Sequence, residues 1–376
     1  MPPLLSPAER EARLRMNTAW FMRPDWCRRL VELHGSACAV LGQTAAELAE
    51  SSALPLKNAE KFLADCAAAD AAGELRAAAD CGGRVVFPED EDFPPRLAGI
   101  PDAPFLVYVK GDIGFGGPAV AVVGARYPDA YGRRMCSALA AELAGAGFLI
   151  VSGLARGIDT AAHEAALARG GRTWAVVGTG LGKCYPPENR GLEERILKAG
   201  GAVISEFPVS SGPAAHHFPR RNRLVSGLCG AVLVVQGDIK SGSLITARVA
   251  LEQGREVLAV PGQADEPLSA GPNRLIRDGA VLVQTAKDVL DSYPPQELFG
   301  IMLPAGEPEA KTARAVALEG LSADERALLE CIGGQELPVD VIAQTLNWDI
   351  PRTAGALFEL EIKSLVSAAA GLYAKN

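Results

Sequence analysis

Glycine and a basic side chain recur together along this sequence, each time just after a short valine-rich run. Gly124 and Arg126 follow the first run, and Gly153, Arg156 and Gly157 the second. Gly178, Gly180, Gly182 and Lys183 follow the third, Arg220, Arg221 and Arg223 lie beyond the fourth, and Lys240, Ser241 and Gly242 come after the fifth. Glycine lets backbone N–H groups approach an anion, and a helix N-terminus adds positive potential. Arginine and lysine add charge-assisted hydrogen bonds. One phosphate needs one such loop, so basic residues at successive strand ends point to a track of phosphates. Phe218-Pro219 ahead of Arg221, Asn222 and Arg223 adds an aromatic platform beside a phosphate clamp.

Other chemistries fit less well. Glycine-rich turns are demanded by any strand-to-helix connection, so the glycines alone leave function open. The Gly178-x-Gly180-x-Gly182 run lacks the last glycine of a dinucleotide fingerprint, and no acidic residue stands about 20 positions on. Asp159 and His163 lie one helical turn apart and read either as an acid–base pair or as a cap that fixes a loop. His216-His217 reads as a ligand pair or as polar surface. There is no Walker-type loop, no nucleophile elbow and no carboxylate cluster suited to two metals. The expectation is a binding protein, not an enzyme, with no cofactor and no metal.

The elements that must position these residues follow from hydrophobic period. Runs at 119–123, 148–151, 173–177, 202–205, 231–235 and 257–260 are continuously apolar, with helical periodicity between most of them. Short Val-rich runs alternating with helices predict a parallel sheet buried on both faces, a Rossmann-like doubly wound α/β domain. Ligands of such sheets sit at the carboxyl ends of the strands, where the basic residues are.

Residues 1–87 are rich in Ala, Leu and Glu at helical spacing, and predict a small helical domain. It reads as a packing module or as a SAM or helix-hairpin-helix-like one. Residues 88–117 form a proline-rich connection with a leading strand at 105–109, residues 118–291 the Rossmann-like domain, and 292–320 a linker. Helices at 323–332, 339–346 and 352–363 before a short hairpin predict a winged-helix-like domain over 321–376.

Composition sets the frame. The chain has 376 residues, 48% hydrophobic and 22% charged, enough for two or three packed domains. No apolar run is long enough for a membrane span and no signal segment opens the chain, so a cytoplasmic protein is expected. The 8 cysteines include no Cys-x-x-Cys pair, which argues for free thiols in a reducing compartment. The net charge of −8 conceals an asymmetry: −5 over 1–117, +3 over 118–291 and −5 over 307–376. Electrostatics favours the middle for nucleic acid.

Taken in order, the strand ends resemble the DprA/Smf family, the DNA-processing protein A of bacteria. The matching stretches are Val123-Gly-Ala-Arg126, Ser152 through Asp159 with Ala162-His163, Tyr185-Pro-Pro-Glu-Asn189, Ser205-Glu-Phe-Pro208, Phe218 through Arg223, Ser241 through Ala247, and Val260-Pro-Gly262 with Gly271-Pro-Asn273. The resemblance implies binding of single-stranded DNA, a homodimer, and delivery of strands to the RecA recombinase in natural transformation, against single-strand-binding protein. By position it implies DNA contacts at Arg126, Gly153, Gly178, Gly180, Lys183, Phe218, Arg220, Arg221, Arg223, Lys240 and Ser241. Asp159, His163, Glu206 and Asn222 would shape the pocket. Gly182 and Gln236 stand where the family usually carries acidic residues, which should make the pocket more positive. Two rivals belong to other classes. A nucleotide-cleaving phosphoribohydrolase of the LOG/lysine-decarboxylase-like group would need glycines and a glutamate that Ser241–Thr246 lacks. The other is a scaffold that binds no DNA.

Overall fold

The computed structural model describes residues 5–18, 24–298, 321–332, 337–362, 366–369 and 372–375. They fall into two compact units, Met1–Leu303 and Pro304–Asn376.

The first unit opens with helices α1 (Pro7–Asn17), α2 (Pro24–His34), α3 (Ala37–Leu41), α4 (Ala45–Ser52), α5 (Leu56–Ala68) and α6 (Ala71–Asp80). Local chemistry sets their limits. Ser6 caps α1 with proline in its first turn, Ser36 caps α3, and Thr44 with Glu47 closes a capping box on α4. Their apolar faces meet around Met16, Leu30, Val40, Leu48 and Phe62. The buried Glu9 carboxylate ties α1 to α3 by accepting from the N–H groups of Ala37 and Cys38 at 2.8 and 3.1 Å.

The sheet follows: β1 (Gly83–Val86), α7 (Pro95–Ala98), β2 (Val107–Gly111), β3 (Ala119–Val123), α8 (Ala130–Gly145), β4 (Leu149–Ser152), α9 (Ile158–Ala168) and β5 (Thr173–Val176). Then come α10 (Arg190–Lys198), β6 (Ala202–Ser205), α11 (His217–Gly227), β7 (Ala231–Val234), α12 (Gly242–Glu252), β8 (Glu256–Ala259), α13 (Ala270–Arg277), β9 (Val281–Leu282) and α14 (Ala286–Asp291). Nine strands lie in the order β1-β2-β6-β5-β4-β3-β7-β8-β9. All pairs from β6 to β9 are parallel, and β2 joins β6 and β1 antiparallel. Both faces are covered, which is why the runs are continuously apolar. Ala121, Val151 and Val232 point to the side of α11 and α12, whereas Val120, Ile150 and Leu233 point to α8 and α9.

The second unit has helices α15 (Ala323–Ile332), α16 (Val339–Leu346) and α17 (Ile350–Ile362), with β10 (Leu337–Pro338), β11 (Val366–Ala369) and β12 (Leu372–Lys375). Its sheet is antiparallel in the order β10-β12-β11. Leu328, Ile342, Leu357 and Leu360 fill the core. This is a winged helix.

Most runs read from the sequence appear as strands within a residue or two. The structure differs in several places, one of them Gly83–Val86, which lies in the stretch read as helical but pairs with β2 as the edge strand β1. The leading strand starts at Val107 rather than Phe105, and the Phe105 ring packs among the N-terminal helices. Residues 217–227 are a helix, so of the two readings open for Arg220, Arg221 and Arg223, a helix start or a phosphate clamp, the helix holds; Pro219 falls in its first turn, where its missing N–H is not needed. Residues 292–298, read as the start of the linker, pack onto the sheet unit. Tyr293 is buried, its ring set edge-on to Phe148 at 5.1 Å and its hydroxyl donating to the Ala119 carbonyl at 2.8 Å.

That last contact yields a stability prediction. Phe148→Ala should destabilise the first unit by about 3–5 kcal/mol, read as a lower urea midpoint by circular dichroism. An unchanged midpoint would mean the Phe148–Tyr293 contact is dispensable.

Candidate nucleic-acid interface

The chain leaves β3 toward β4 on one side and later returns to β7 on the other. Such a reversal opens a crevice at the carboxyl ends of the strands. A cavity of about 620 Å³ lies there. Its wall includes Val123 and Gly124 at the end of β3, Phe218 and Asn222 from α11, and Ser241–Ser243 at the start of α12. Arg126 is exposed, and its guanidinium lies 5.5 Å from the Phe218 ring centroid. The Tyr185 ring sits 5.7 Å from Phe218 at a tilt of 49°. A cation and two aromatic faces thus border one opening, a combination suited to phosphate and base together. The N-terminus of α12 borders the same cavity and adds the positive end of its dipole.

Beneath this opening lies a buried cation. Arg221 is 5% exposed. Its Nη1 donates to the Gly153 carbonyl at 2.6 Å and to the Val176 carbonyl, and its Nε donates to Asn222 Oδ1 at 3.3 Å. Asp159, also buried, accepts from the N–H groups of Gly153 and Ala155 at 3.0 and 3.3 Å. Both charges crowd Gly153: a Cβ there would stand 2.5 Å from Asp159 Oδ2 and 2.7 Å from Arg221 Nη2. Burial pushes the Asp159 carboxyl up from its ordinary range, against the pull of Arg221 and of the two N–H groups. Burial draws the Arg221 guanidinium down, and neighbouring Arg126 adds to that while Asp159 opposes it. His163 is fully buried, with Nδ1 2.7 Å from Thr173 Oγ1, and burial together with Arg221 pushes it down to about 3.

The cavity therefore unites Arg126, Asp159, Phe218, Arg221, Asn222 and Ser241. Gly153 borders an adjoining recess with Arg126, Arg156 and Tyr185. The other expected residues lie apart from it. Arg220 and Arg223 do not join Arg221 in one clamp. Three residues apart on α11, they share a helix face and both grip the buried Glu206, Arg220 at 3.0 Å. Glu206 is thus their counter-ion and lies outside the cavity wall. Gly153 and Gly180 are both expected DNA contacts, but their N–H groups are engaged by Asp159 and by the Ser211 carbonyl at 2.9 Å. Gly178 packs under Phe218, where a Cβ would approach the ring to 3.1 Å. Lys183 and Lys240 are exposed on neighbouring loops, outside the cavity wall. His163 is a core residue, not one half of an acid–base pair.

Several contacts of residues named above were not legible in the sequence. Arg156, at the recess, ion-pairs with Glu188 across 32 positions of sequence. Ile245 and Thr246 reach the cavity from the first turn of α12, as their place just after the Ser241 cap would have suggested. Gln236 is not at the pocket edge. It is 1% exposed and donates from Nε2 to Asp129 Oδ2 at 2.8 Å, supporting the N-cap of α8. Its departure from an acidic residue bears on that cap. Gly182 lies against Val209, where a Cβ would come 2.9 Å from the carbonyl oxygen.

Residues 84–294 match the family described as DNA recombination-mediator protein A, and residues 312–371 match the DprA winged helix domain. Protein Smf of Escherichia coli is 39% identical over 292 residues, 77% of each chain. The X-ray structure of DNA processing protein A from Streptococcus pneumoniae superposes with a TM-score of 0.65 at 34% identity, covering 74% of this chain and 96% of that one. DNA processing protein A from Helicobacter pylori, whose structure addresses its single-stranded DNA binding mode, gives 0.50 at 31% identity over 55% and 94%.

Two outcomes follow from the residues packed around the site. His163 should not titrate by NMR between pH 8 and its folded value of about 3. The unfolded chain takes up that proton near the ordinary value of 6.5, so stability should fall as the pH drops from there toward 3. An imidazole that titrates near neutrality would contradict the burial. Gly180→Ala should lower the thermal midpoint sharply, because a Cβ there overlaps the Pro208 and Val209 carbonyls. A wild-type midpoint would show that the 208–209 loop yields freely.

Proposed function

The chain belongs to the DprA/Smf family of DNA recombination mediators, and from that premise we propose that it binds single-stranded DNA in the carboxyl-edge cavity and passes it to the RecA recombinase. In this reading it acts in the cytoplasm during DNA processing and natural transformation, and displaces single-strand-binding protein as it loads the recombinase. The observation that carries the proposal is the opening itself: exposed Arg126 against Phe218, Tyr185 beside it, and a buried cation below. Unpaired bases can enter such a cavity and stack, whereas paired bases cannot. Arg126 neutralises phosphate, and exposed Lys183 and Lys240 extend the basic track on either side.

The cavity wall supports binding over catalysis. Its one carboxylate among the described residues, Asp159, is occupied by backbone N–H groups and faces Arg221. The first turn of α12 carries no acidic residue, which leaves the phosphoribohydrolase reading without a general base there. We assign DNA binding to residues 118–291, a packing role to 1–87, and partner contacts to the acidic winged helix at 321–376. A homodimer through the Rossmann-like domain is part of the same reading. It is supported by the edge strand β9, whose Val281 and Leu282 are 38% and 44% exposed.

The test is a titration of labelled oligo-dT and a matched duplex at two salt concentrations. Wild type should prefer the single strand. Arg126→Ala should weaken it about tenfold and lower the salt slope by about 0.7, one phosphate contact. Arg221→Ala should lose binding together with about 3–5 kcal/mol of stability, because it leaves Asp159 buried without its counter-charge. Equal binding of duplex, or an Arg126→Ala variant with wild-type affinity and slope, would move the DNA site elsewhere.

A further inference from the structure

A second cavity, of about 720 Å³, opens at the opposite edge of the sheet, where β3, β4 and β5 begin. Ala119, Leu149 and Trp174 from those strands form its floor, and Phe93, Phe115 and prolines 94, 95 and 118 form its walls. Trp174 is 3% exposed, and its indole Nε1–H has no hydrogen-bond partner among the described residues. A buried donor left unpaired in this way is uncommon in folded interiors. At the rim stand three carboxylates, Glu91, Asp92 and Glu297, against one guanidinium, Arg96. Arg96 ion-pairs with Glu297, and Asp92 pairs with Arg84 at 2.7 Å, while Glu91 is exposed.

These features define a ligand. Arg96 and Arg84 balance Glu297 and Asp92, so exposed Glu91 leaves the rim one uncompensated negative charge, which favours a neutral or cationic occupant over phosphate. The unpaired indole N–H calls for a carbonyl acceptor, and the aromatic and proline walls call for an apolar body. An extended proline-containing backbone meets all three demands, because its carbonyls are unpaired and its rings pack on aromatic faces. Trp174 lines the cavity but its N–H is buried, so a ligand that accepts from it must displace part of the wall. Phe115 is the residue placed to move. Glycines at 114, 116 and 117 flank it, and its ring lies over Gly117, where a Cβ would come 2.8 Å from the ring edge.

We propose that this cavity docks an extended, proline-containing peptide segment of a partner protein that carries a basic residue. A backbone carbonyl accepts from Trp174 Nε1, a prolyl ring packs against Phe93 and Phe115, and the basic side chain faces Glu91. The site sits at the other edge of the sheet from Arg126 and Phe218, so peptide and DNA can be held together.

The probe is an acetylated, amidated Pro-Pro-Leu-Pro-Arg peptide, titrated into the ¹⁵N-labelled full chain, with Pro-Pro-Leu-Pro-Glu as control. The chain has 4 tryptophans, and Trp174→Phe assigns the indole signal. The Trp174 N–H signal should shift saturably with the arginine peptide. Glu91→Lys, at an exposed site, should weaken binding at least about fivefold. Trp174→Phe keeps an aromatic ring but removes the donor, and should weaken binding about tenfold. Oligo-dT affinity should be unchanged in both variants. An unmoved Trp174 signal at the highest peptide concentration, equal binding of the two peptides, or undiminished binding by Trp174→Phe would each overturn the proposal. So would an indole signal that is already that of a hydrogen-bonded N–H in the free protein and stays fixed, since the chain would then fill the cavity itself.

Discussion

The candidate site depends on a charge that has been taken out of water. Arg221 sits under the cavity, holding the carbonyl of Gly153 after β4 and that of Val176 in β5. Asp159 holds the two N–H groups of the same loop from the other side. A buried guanidinium is tolerable only when opposite charge and hydrogen bonds meet it on most sides, and this arrangement meets it with one carboxylate and three oxygen acceptors. The β4–α9 loop is fixed from both faces, and Gly153 is confined to a position where even a methyl group would collide with both charges.

That internal use of charge separates two kinds of basic residue which look alike in sequence. Arg220, Arg221 and Arg223 spend their hydrogen bonds on Glu206, on backbone carbonyls and on Asn222, and so build the site. Arg126 is exposed and packs its guanidinium over an aromatic ring. In water an exposed arginine keeps its donors available and its charge complete, and a neighbouring phosphate gains the whole interaction. The field at the opening is thus the sum of one accessible cation, a helix N-terminus and a buried cation partly balanced by Asp159.

The two ends of the sheet are chemically opposed. Parallel strands place all their carboxyl ends together, and here that edge gathers Arg126, Arg221 and the start of α12. The amino edge gathers Glu91, the ion pairs of Asp92 with Arg84 and of Glu297 with Arg96, and a wall of aromatic and proline residues. The same strands run through both: β3 begins at one cavity with Ala119 and ends at the other with Val123. The winged helix forms a separate compact unit with its own core around Leu328, Ile342, Leu357 and Leu360.

Much of this was legible in the residues. Continuous Val-rich runs fixed the strands because a doubly covered sheet leaves no polar face. The glycine and basic pairings marked the carboxyl edge because loops of parallel sheets end there. Family motifs carried the identity of the central domain. What one dimension could not give was direction. Whether an arginine on α11 turns toward Glu206, toward Gly153 or toward water depends on which helix face meets the sheet. Neither could it show that His163 lies under Thr173, that Gln236 braces Asp129, or that Phe93, Phe115 and Trp174, widely spaced in the chain, line one cavity. Composition and period are local properties and determined the elements. Burial, ion pairing and cavity shape are properties of packed neighbours, and only the tertiary structure decided them.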